Sequence, residues 1–342
     1  MGSVKDLKVI SEPSLEKEGI ARFLFSDRYS VFDWGQMPDL IEDKGKSLCI
    51  IGAFFFEKIQ ELGIKTHYRG VIENGVLKKL NECKTPPSQM EITFLRVIKP
   101  LKKGVDYDYS IYKKEKTNFL IPLEVIYRNV ITENSSILRR IKEGKVSWKD
   151  FRLTKPPELG KFLSEPILDF STKLESQDRY LKYSEAKELS GLDESEFEEI
   201  RRITFKINDL ITSQLKRIGI LNIDGKLEFG FNAKRELLVI DCVGTPDECR
   251  FLYKGLHLSK EILRIFYRKT EWYREVERAK LKTKTNWKEL VKTTPPKLPT
   301  DLKKCIEDMY RVLANEITQR KWFDCPSLEN TVNNLKKIIA HL

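Results

Sequence analysis

The sequence predicts an α+β fold, in which helices and antiparallel strands occupy separate stretches of the chain. Two observations support this prediction. Short strand-like runs with one clear helical pattern fill residues 1–122, whereas long helical patterns dominate after that point. A hydrophobic content of 40% and a charged content of 33% in 342 residues are typical of a globular chain that buries a sizeable core.

The N-terminal part carries one predicted helix and several short strands. The helix spans residues 46–62, where aromatic and aliphatic side chains recur, and Gly63 follows it as a helix-ending glycine. Short strands are predicted around residues 71–77 and 91–98. We therefore expect a strand-rich N-terminal lobe with a single helix.

The next part opens with a predicted strand at residues 121–128 and a helix at residues 136–143, for which Ser135 or Ser136 is the expected N-cap. The best-defined helix spans residues 194–217, where apolar residues follow the helical period. Such a stripe predicts a core-facing side and not a binding surface. The stripe consists of Phe197, Ile200, Ile203, Ile207, Leu210, Ile211, Leu215 and Ile218.

Three further helical patterns complete the chain, at residues 259–281, 300–320 and 327–342. The predicted organisation has three parts. They are an N-terminal lobe at residues 1–122, a second lobe with C-terminal helices at residues 123–318, and an extra C-terminal helix at residues 319–342.

Residues 227–241 are predicted to form a charged β-hairpin with a four-residue turn at residues 232–235. The turn length sets Lys226 opposite Asp241 in the predicted register. Because side chains two residues apart share a face of a strand, Glu228 then points to the same side as these two. The hairpin therefore predicts two carboxylates and one ammonium group crowded together.

Such a cluster on an otherwise apolar hairpin is unfavourable unless its charges are satisfied. A Mg²⁺ ion is usually held by one or two carboxylates together with substrate phosphates, and it would satisfy them. A surface ladder of ion pairs explains the same pattern equally well. The hairpin alone leaves both interpretations open.

The hairpin motifs resemble a known family. Asp-x-Lys-x-Glu-Phe-Gly at 224–230, followed by Ile-Asp-x-x-x-Thr-Pro-Asp-x-x-Arg at 240–250, is similar to the signature of the phosphoribosylaminoimidazole-succinocarboxamide synthases (SAICAR synthetases), ligases of the purine pathway. Other stretches resemble the family in the same order along the chain, and the resemblance covers roughly residues 2–318. These stretches are residues 26–33, 39–45 with 53–56, 122–129, 171–173 and 294–299.

The resemblance implies a two-lobed fold with a cleft, in which the N-terminal lobe binds nucleotide and the second lobe binds substrate and metal. It implies an ATP-dependent ligase that joins L-aspartate to the carboxylate of carboxyaminoimidazole ribotide through an acyl phosphate. The implied cofactors are ATP and Mg²⁺, the partners are these small molecules, and the location is cytoplasmic. Residues 101–118 lie where family members have a short connection, so we predict an insertion there.

The resemblance also implies roles for individual residues. Lys226, Glu228 and Asp241 are the implied catalytic residues, with Mg²⁺ at Glu228 and Asp241 and with phosphate oxygens at Lys226. Residues 2–7 are predicted to form a phosphate-binding loop. The implied nucleotide-binding residues are Gly2, Ser3, Lys5, Lys173 and Lys226. The implied substrate-binding residues are Asp27, Arg28, Ser30, Asp33, Lys44, Arg128, Ser136, Asp224 and Arg250.

Two positions depart from the family pattern. Ser3 replaces the first basic residue of the phosphate loop, and Cys242 replaces the Glu that usually follows the metal-binding Asp. A soft thiol does not replace a carboxylate as a ligand of Mg²⁺. A diverged paralogue, with another carboxylate and amine or without activity, is therefore an alternative.

Several candidate residues have simpler explanations. Arg128 and Arg250 can bind the substrate phosphate as two-pronged donors, or they can form ordinary surface salt bridges. Ser136 can contact the same phosphate or simply cap a helix. Lys173 is one of 62 basic residues, and residues 26–33 can be a turn held by local Asp and Ser bonds.

Composition limits the remaining classes of function. The net charge of +11 suits anionic substrates, and it also suits a nucleic-acid-binding protein, although no nucleic-acid-binding motif is present. No apolar run approaches the length of a membrane span. The six scattered cysteines predict neither a zinc knuckle nor a disulfide framework, and three histidines make a His-based metal site improbable. The oligomeric state is open, and the C-terminal helix is a candidate subunit contact.

Overall fold

The computed structural model describes residues 4–104, 106–133, 135–283 and 286–341. Its strands form three antiparallel sheets. The first sheet has the order β1-β2-β5-β3-β4. Its strands are β1 (Lys5–Ser11), β2 (Gly19–Phe25), β3 (Tyr68–Glu73), β4 (Val76–Lys78) and β5 (Gln89–Phe94). A separate hairpin consists of β6 (Leu101–Lys103) and β7 (Asp106–Asp108).

The second large sheet has the order β10-β9-β8-β11-β13-β14, and β12 also pairs with β11. Its strands are β8 (Phe119–Val130), β9 (Phe162–Thr172), β10 (Tyr180–Leu181), β11 (Leu221–Phe231), β12 (Leu237–Ile240), β13 (Cys249–Tyr253) and β14 (Leu256–His257). Strand β11 lies between β8 and β13, so its residues have cross-strand neighbours on both sides.

Eight α-helices surround these sheets within the described ranges. They are α1 (Lys44–Glu61), α2 (Ser136–Lys142), α3 (Tyr183–Ser190), α4 (Glu194–Lys216), α5 (Glu261–Tyr267), α6 (Glu271–Lys282), α7 (Thr300–Thr318) and α8 (Leu328–Ala340). None of the described helices is long and apolar enough to cross a membrane.

The helices predicted at residues 46–62 and 194–217 are confirmed as α1 and α4. Gly63 has a φ of 74° and donates its backbone N–H to the last turn of α1, as expected of a helix-ending glycine. In α4 the predicted stripe is mostly buried, and the Asp193 side chain caps the helix by accepting the Glu196 N–H. Ser135, and not Ser136, is the N-cap of α2.

Three sequence predictions differ from the structure. The strand predicted at residues 71–77 is instead a hairpin of β3 and β4, because Asn74 and Gly75 both adopt positive φ and turn the chain. The helix predicted at 259–281 is split into α5 and α6, where Thr270 caps the second helix by accepting the Tyr273 N–H. Strand β9 and helix α3 carried no clear sequence signal. Lys5 begins strand β1 instead of lying in a loop, and Gly2 and Ser3 lie outside the described residues.

The predicted hairpin register is wrong by one residue. Glu228 pairs with Ile240, since the connection between β11 and β12 has five residues instead of four. An extended strand would then point Asp241 to the opposite face from Glu228. Asp241 instead adopts a φ of 65°, which ends the strand and turns the chain.

One continuous apolar core links the two large sheets. Helix α7 packs along α1, so the C-terminal part of the chain contacts the helix of its N-terminal part. The apolar stripe of α8, which includes Leu328, Val332 and Leu335, is buried against the same chain. This stripe is therefore not a free surface for a second subunit.

Candidate active site

Strand β11 is the backbone of the candidate site. Asp224, Lys226 and Glu228 alternate along it and therefore share one face, as the sequence predicts for Lys226 and Glu228. The two neighbouring strands, β8 and β13, bring further charged residues to this face. The charges fall into two groups, one at each end of this row.

The first group is an arginine row formed by Arg128, Asp224 and Arg250. Asp224 pairs across the sheet with Arg128 on β8 and with Arg250 on β13. Arg250 Nε lies 2.8 Å from Asp224 Oδ1, and Arg128 NH1 lies 3.3 Å from Asp224 Oδ2. Arg128 also donates to Asp169 Oδ2 at 2.9 Å. Paired carboxylates therefore fix both guanidinium groups.

Ser136 belongs to this arginine row. Arg128 NH2 donates to the Ser136 hydroxyl at 3.0 Å. The Ser135 hydroxyl accepts the Ile137 N–H at 3.3 Å and thus performs the capping. The explanation of Ser136 as an ordinary N-cap is therefore wrong, and its hydroxyl is directed to the arginine.

The second group is a lysine corner formed by Lys5, Lys173 and Lys226 with four carboxylates. Lys226 Nζ lies 2.8 Å from Glu124, 2.9 Å from Glu228 and 3.2 Å from Glu248. The fourth carboxylate is that of Asp241, whose Oδ1 lies 2.5 Å from Lys5 Nζ. Lys173 Nζ approaches Glu228 Oε2 to 2.5 Å. The short β11–β12 pairing thus brings both predicted metal ligands to one place.

The carboxylates of Glu228 and Asp241 respond differently to this environment. Burial, with the negative charge of Asp241, raises the pKa of Glu228, and Lys173 and Lys226 oppose this only in part. Burial also favours the neutral acid at Asp241, but Lys5, Lys173 and Lys226 outweigh it. The pKa of Asp241 therefore lies below its usual range.

His67 holds the chain at Asp241. Its ring is buried, and its Nε2 lies 3.1 Å from the Asp241 carbonyl oxygen, to which it must donate. Burial lowers the pKa of His67 to about 4, so the ring stays neutral. This hydrogen bond supports the left-handed conformation that turns Asp241 toward Lys5.

Cys242 does not act as a carboxylate substitute. Its side chain is buried, and Lys5 Nζ lies 3.3 Å from its sulfur. Burial raises the pKa of the thiol to about 12, although Lys5 opposes this. A neutral thiol is a poor ligand for Mg²⁺.

A polar pocket of about 490 Å³ opens beside both groups. Five of the predicted site residues line it, namely Arg128, Ser136, Asp224, Lys226 and Arg250. Helix α5 and the two residues that flank it contribute positive charges that the sequence did not reveal: Lys260, Arg264 and Arg268. Acidic residues lie between these cations: Glu124, Asp178, Asp247, Glu248 and Glu261.

Lys44 is not open to this pocket. Its side chain is 0% exposed, and its Nζ lies 2.8 Å from Asp247 Oδ2. Burial lowers the pKa of Lys44, although Asp247 opposes this. Tyr310 donates to the other oxygen of Asp247 at 2.6 Å. The structure pairs Lys44 with the pocket residue Asp247, and its direct contact with substrate stays a prediction.

The remaining predicted residues, Asp27, Arg28, Ser30 and Asp33, do not line the pocket. Asp27 accepts the Gly45 N–H at 3.0 Å. Arg28 pairs with Asp6, and Asp33 pairs with Lys280 on α6. Ser30 is half-buried nearby. These contacts join the segment to distant parts of the chain, so it is not a turn held only by local bonds, and its role in substrate binding stays a prediction.

The lysine corner suits Mg²⁺ bound together with phosphates. No cluster of three or more His, Cys, Asp or Glu side chains within the described residues is arranged to hold a metal ion. Glu228 Oε2 is buried and receives no well-directed hydrogen bond, even though Lys173 Nζ is close. Two carboxylates with one underused oxygen fit an ion that takes its other ligands from phosphates and water.

The comparisons with known proteins agree on one family. The family model of SAICAR synthetase matches residues 8–280, well over half of the chain. The chain belongs to the SAICAR synthetase family. A relative from Archaeoglobus fulgidus, named "Putative phosphoribosylaminoimidazole-succinocarboxamide synthase", is 51% identical over 99% of this chain and 100% of its own length. A phosphoribosylaminoimidazole-succinocarboxamide synthase from Thermoplasma acidophilum is 32% identical over 88% of this chain and 93% of its own length.

Solved SAICAR synthetases share the fold. The Saccharomyces cerevisiae SAICAR-synthase complexed with SAICAR superposes with a TM-score of 0.64 at 24% identity, and 94% of each chain is covered. A SAICAR synthetase in complex with ADP gives a TM-score of 0.59 at 22% identity, over 94% of this chain and 97% of that chain. The expected α+β fold of the SAICAR synthetase type is therefore confirmed.

Sequence reasoning missed several residues of this SAICAR synthetase site. Glu124 lies directly opposite Glu228 across the sheet, and it stands in the segment 122–129 that resembles the family. Glu248 directly follows the Thr-Pro-Asp motif. Strand alternation could have identified Glu124 from sequence alone, and the adjacent motif could have identified Glu248. Asp178 carried no such signal, because its position depends on a loop of the second sheet.

A small buried apolar cluster lies beside the lysine corner of this family member. Leu95, Leu120, Leu238 and Ile240 form this separate cluster, against which Leu174 packs. Ile240 directly precedes Asp241, so the cluster adjoins one of the predicted metal ligands. The sequence did not show where a nucleotide base would lie.

Proposed function

We propose that this chain is an ATP-dependent ligase that joins the amine of L-aspartate to the carboxylate of carboxyaminoimidazole ribotide. The carrying observation is the single face of β11, where the arginine row lines one pocket that the lysine corner borders through Glu124, Lys226 and Glu248. Family membership supports the same activity.

The proposed reaction has two steps. A carboxylate oxygen of the ribotide attacks the γ-phosphorus of ATP, so that an acyl phosphate forms and ADP leaves. The aspartate nitrogen then attacks the acyl carbon, the amide bond forms, inorganic phosphate leaves, and the nitrogen loses a proton. Both steps gain mainly from positioning and from neutralising phosphate charge.

The lysine corner would bind the phosphates of ATP. Lys5, Lys173 and Lys226 carry point charges that can leave their carboxylate partners for phosphate oxygens. Glu228 and Asp241 would hold Mg²⁺, which supplies neutralisation of the charge on the transferring phosphoryl group.

The arginine row would bind the ribotide. Arg128 and Arg250 can direct their free N–H groups to the substrate phosphate, and the Ser136 hydroxyl lies beside them. Asp224 would fix both arginines and can also accept a hydrogen bond from a substrate hydroxyl. The cations of α5 would balance the remaining substrate carboxylates.

The cellular setting is part of the proposal. All six cysteines are free thiols, which suits a reducing compartment, so we expect a cytoplasmic enzyme. Homo-oligomer formation stays a prediction that size measurement in solution would check.

The test is release of ADP from ATP with Mg²⁺, carboxyaminoimidazole ribotide and L-aspartate, with each component omitted in turn. The proposal expects turnover only with all four components, together with a product whose mass corresponds to the amide. ADP release that ignores aspartate, or that needs another carboxylate, would identify a paralogue with a different substrate pair. Absence of both turnover and nucleotide binding would contradict an enzymatic role.

A further inference from the structure

The tyrosine-rich segment 101–118 is a folded platform against the second sheet. It comprises β6, β7 and a 3₁₀ turn at Ser110–Lys113. Tyr109 and Tyr112 are 7% and 1% exposed, and their rings lie 6.0 Å apart. These buried aromatic side chains join this polar stretch to the main apolar core.

Several contacts fix this platform on the rest of the molecule. The Tyr112 hydroxyl donates to the Ile98 carbonyl oxygen, and Lys113 pairs with Glu188 on α3 at 3.2 Å. The backbone of Tyr112 also approaches Gly191 so closely that an added Cβ there would lie 2.5 Å from the Tyr112 carbonyl oxygen. The positions of the neighbouring tyrosine hydroxyls are therefore well determined.

Two of those hydroxyls reach the loop that joins β9 to β10, residues 173–179. The Tyr107 hydroxyl accepts the Ser176 backbone N–H at 3.0 Å. The Tyr109 hydroxyl donates to Glu175 Oε1 at 3.0 Å. The middle of the loop is thus held from outside the sheet.

The same loop carries two groups of the candidate site. Its first residue, Lys173, has its Nζ 2.5 Å from Glu228 Oε2 in the lysine corner. Asp178, near its end, lines the polar pocket. A shift of this loop would therefore move one charge at the predicted metal ligand and another at the pocket wall.

We propose that Tyr107 and Tyr109 are positioning residues that hold the 173–179 loop so that Lys173 and Asp178 stay at the reacting centre. This inference rests on the proposed ligase function for its catalytic consequence. Small misplacements of charged groups at such centres reduce rates strongly, because much of the catalysis depends on position. The segment 101–118 would then serve the reaction without touching substrate.

The experiment compares Tyr107→Phe, Tyr109→Phe and the double variant with a matched control, Tyr112→Phe. Each change removes one hydroxyl and keeps the ring, but the Tyr112 hydroxyl bonds to the Ile98 carbonyl oxygen and not to the loop. We expect kcat/KM for the amine substrate to fall about threefold in each single variant and about tenfold in the double variant, from the usual net strength of a hydrogen bond. Tyr112→Phe should leave kcat/KM unchanged.

A second measurement does not depend on turnover. Amide hydrogen exchange at residues 173–179 should accelerate in the double variant and stay at the wild-type rate in Tyr112→Phe. Unchanged exchange and kcat/KM in the double variant would overturn the proposal, as would equal losses in Tyr112→Phe. If the wild-type chain shows no ligase turnover, the proposed function fails, and the exchange data still decide whether the tyrosines hold the loop.

Discussion

The arginine row and the lysine corner lie at two ends of the same three-residue row on β11, yet they hold their charges differently. Arg128 is 5% exposed and donates to two different carboxylates. Lys226 is 23% exposed and lies within 3.2 Å of three carboxylates, none of which it binds in a forked geometry. Planar guanidinium groups are fixed by their partners, whereas ammonium groups exchange partners readily.

This difference indicates that the arginine row is preorganised for its ligand, whereas the lysine corner must rearrange. The arginine row can accept a phosphate with little rearrangement, because its donors are already oriented. The lysine corner has three ammonium groups against four carboxylates, which leaves an excess negative charge that suits a divalent cation. Its lysines must then move from carboxylates to phosphates. We therefore expect substitutions in the lysine corner to affect catalysis and those in the row to affect substrate binding.

The largest expected effect is that of Glu228→Gln in the lysine corner. Loss of this carboxylate removes a proposed Mg²⁺ ligand and leaves Lys173 and Lys226 with one partner fewer. We expect kcat to fall by on the order of 10³- to 10⁴-fold, since a metal supplies several kcal/mol of charge stabilisation. Steady-state ADP release measures the loss, and isothermal titration measures the weakened Mg²⁺-dependent binding of ADP.

Glu236→Gln is the matched control, because Glu236 lies on the same hairpin and pairs with Lys65 at an exposed position. It should keep the wild-type kcat. A Glu228→Gln variant with full kcat would remove Glu228 from the proposed metal site, and the lysine corner would then be structural.

The second prediction concerns Lys44, whose side chain is fully buried. Lys44→Met would leave the Asp247 carboxylate buried with Tyr310 and the more distant Lys260, which lies 3.9 Å away. Breaking one side of a buried ion pair usually costs 3 to 5 kcal/mol, so we expect a loss of about 3 kcal/mol in the free energy of unfolding. Urea denaturation followed by circular dichroism measures it.

Lys46→Met, two residues further along the same helix, provides the control, since Lys46 is 47% exposed and pairs with Asp43 at the surface. Its cost should stay below about 1 kcal/mol. Equal stability of Lys44→Met and wild type, with only substrate affinity changed, would support the direct substrate contact that the sequence suggested.

These cases show why some of the site was predictable from sequence and the rest was not. Alternation along β11 is a local property, so Asp224, Lys226 and Glu228 could be placed on one face from spacing alone. The partner of Glu228 could not, because one extra residue in the connection to β12 shifts the register. Asp241 still reaches the site, but only through a left-handed conformation that no local pattern announced.

Long-range contacts explain the other differences. Lys44 stands at the start of a helix, where a lysine is normally exposed, and its burial depends on Asp247 far along the chain. Likewise, the polar composition of residues 101–118 gives no sign that Tyr107 and Tyr109 meet the 173–179 loop. Local period and motif therefore predict elements, whereas charge pairing across the chain determines which of their residues face a ligand.

The smallest expected effect is that of Arg250→Lys in the arginine row. Lysine keeps the positive charge beside Asp224 but loses the fork that binds a phosphate with two parallel hydrogen bonds. One lost charge-assisted hydrogen bond is worth about 1.5 to 3 kcal/mol, so the KM for the ribotide should rise about 10- to 100-fold. The KM for ATP should stay near the wild-type value, because ATP is expected at the lysine corner.

The control is Arg235→Lys. The Arg235 guanidinium pairs with Glu196 outside this pocket, so this change should alter neither KM. An Arg250→Lys variant that raises the KM for ATP and spares that for the ribotide would reverse the assignment of the two ends of β11.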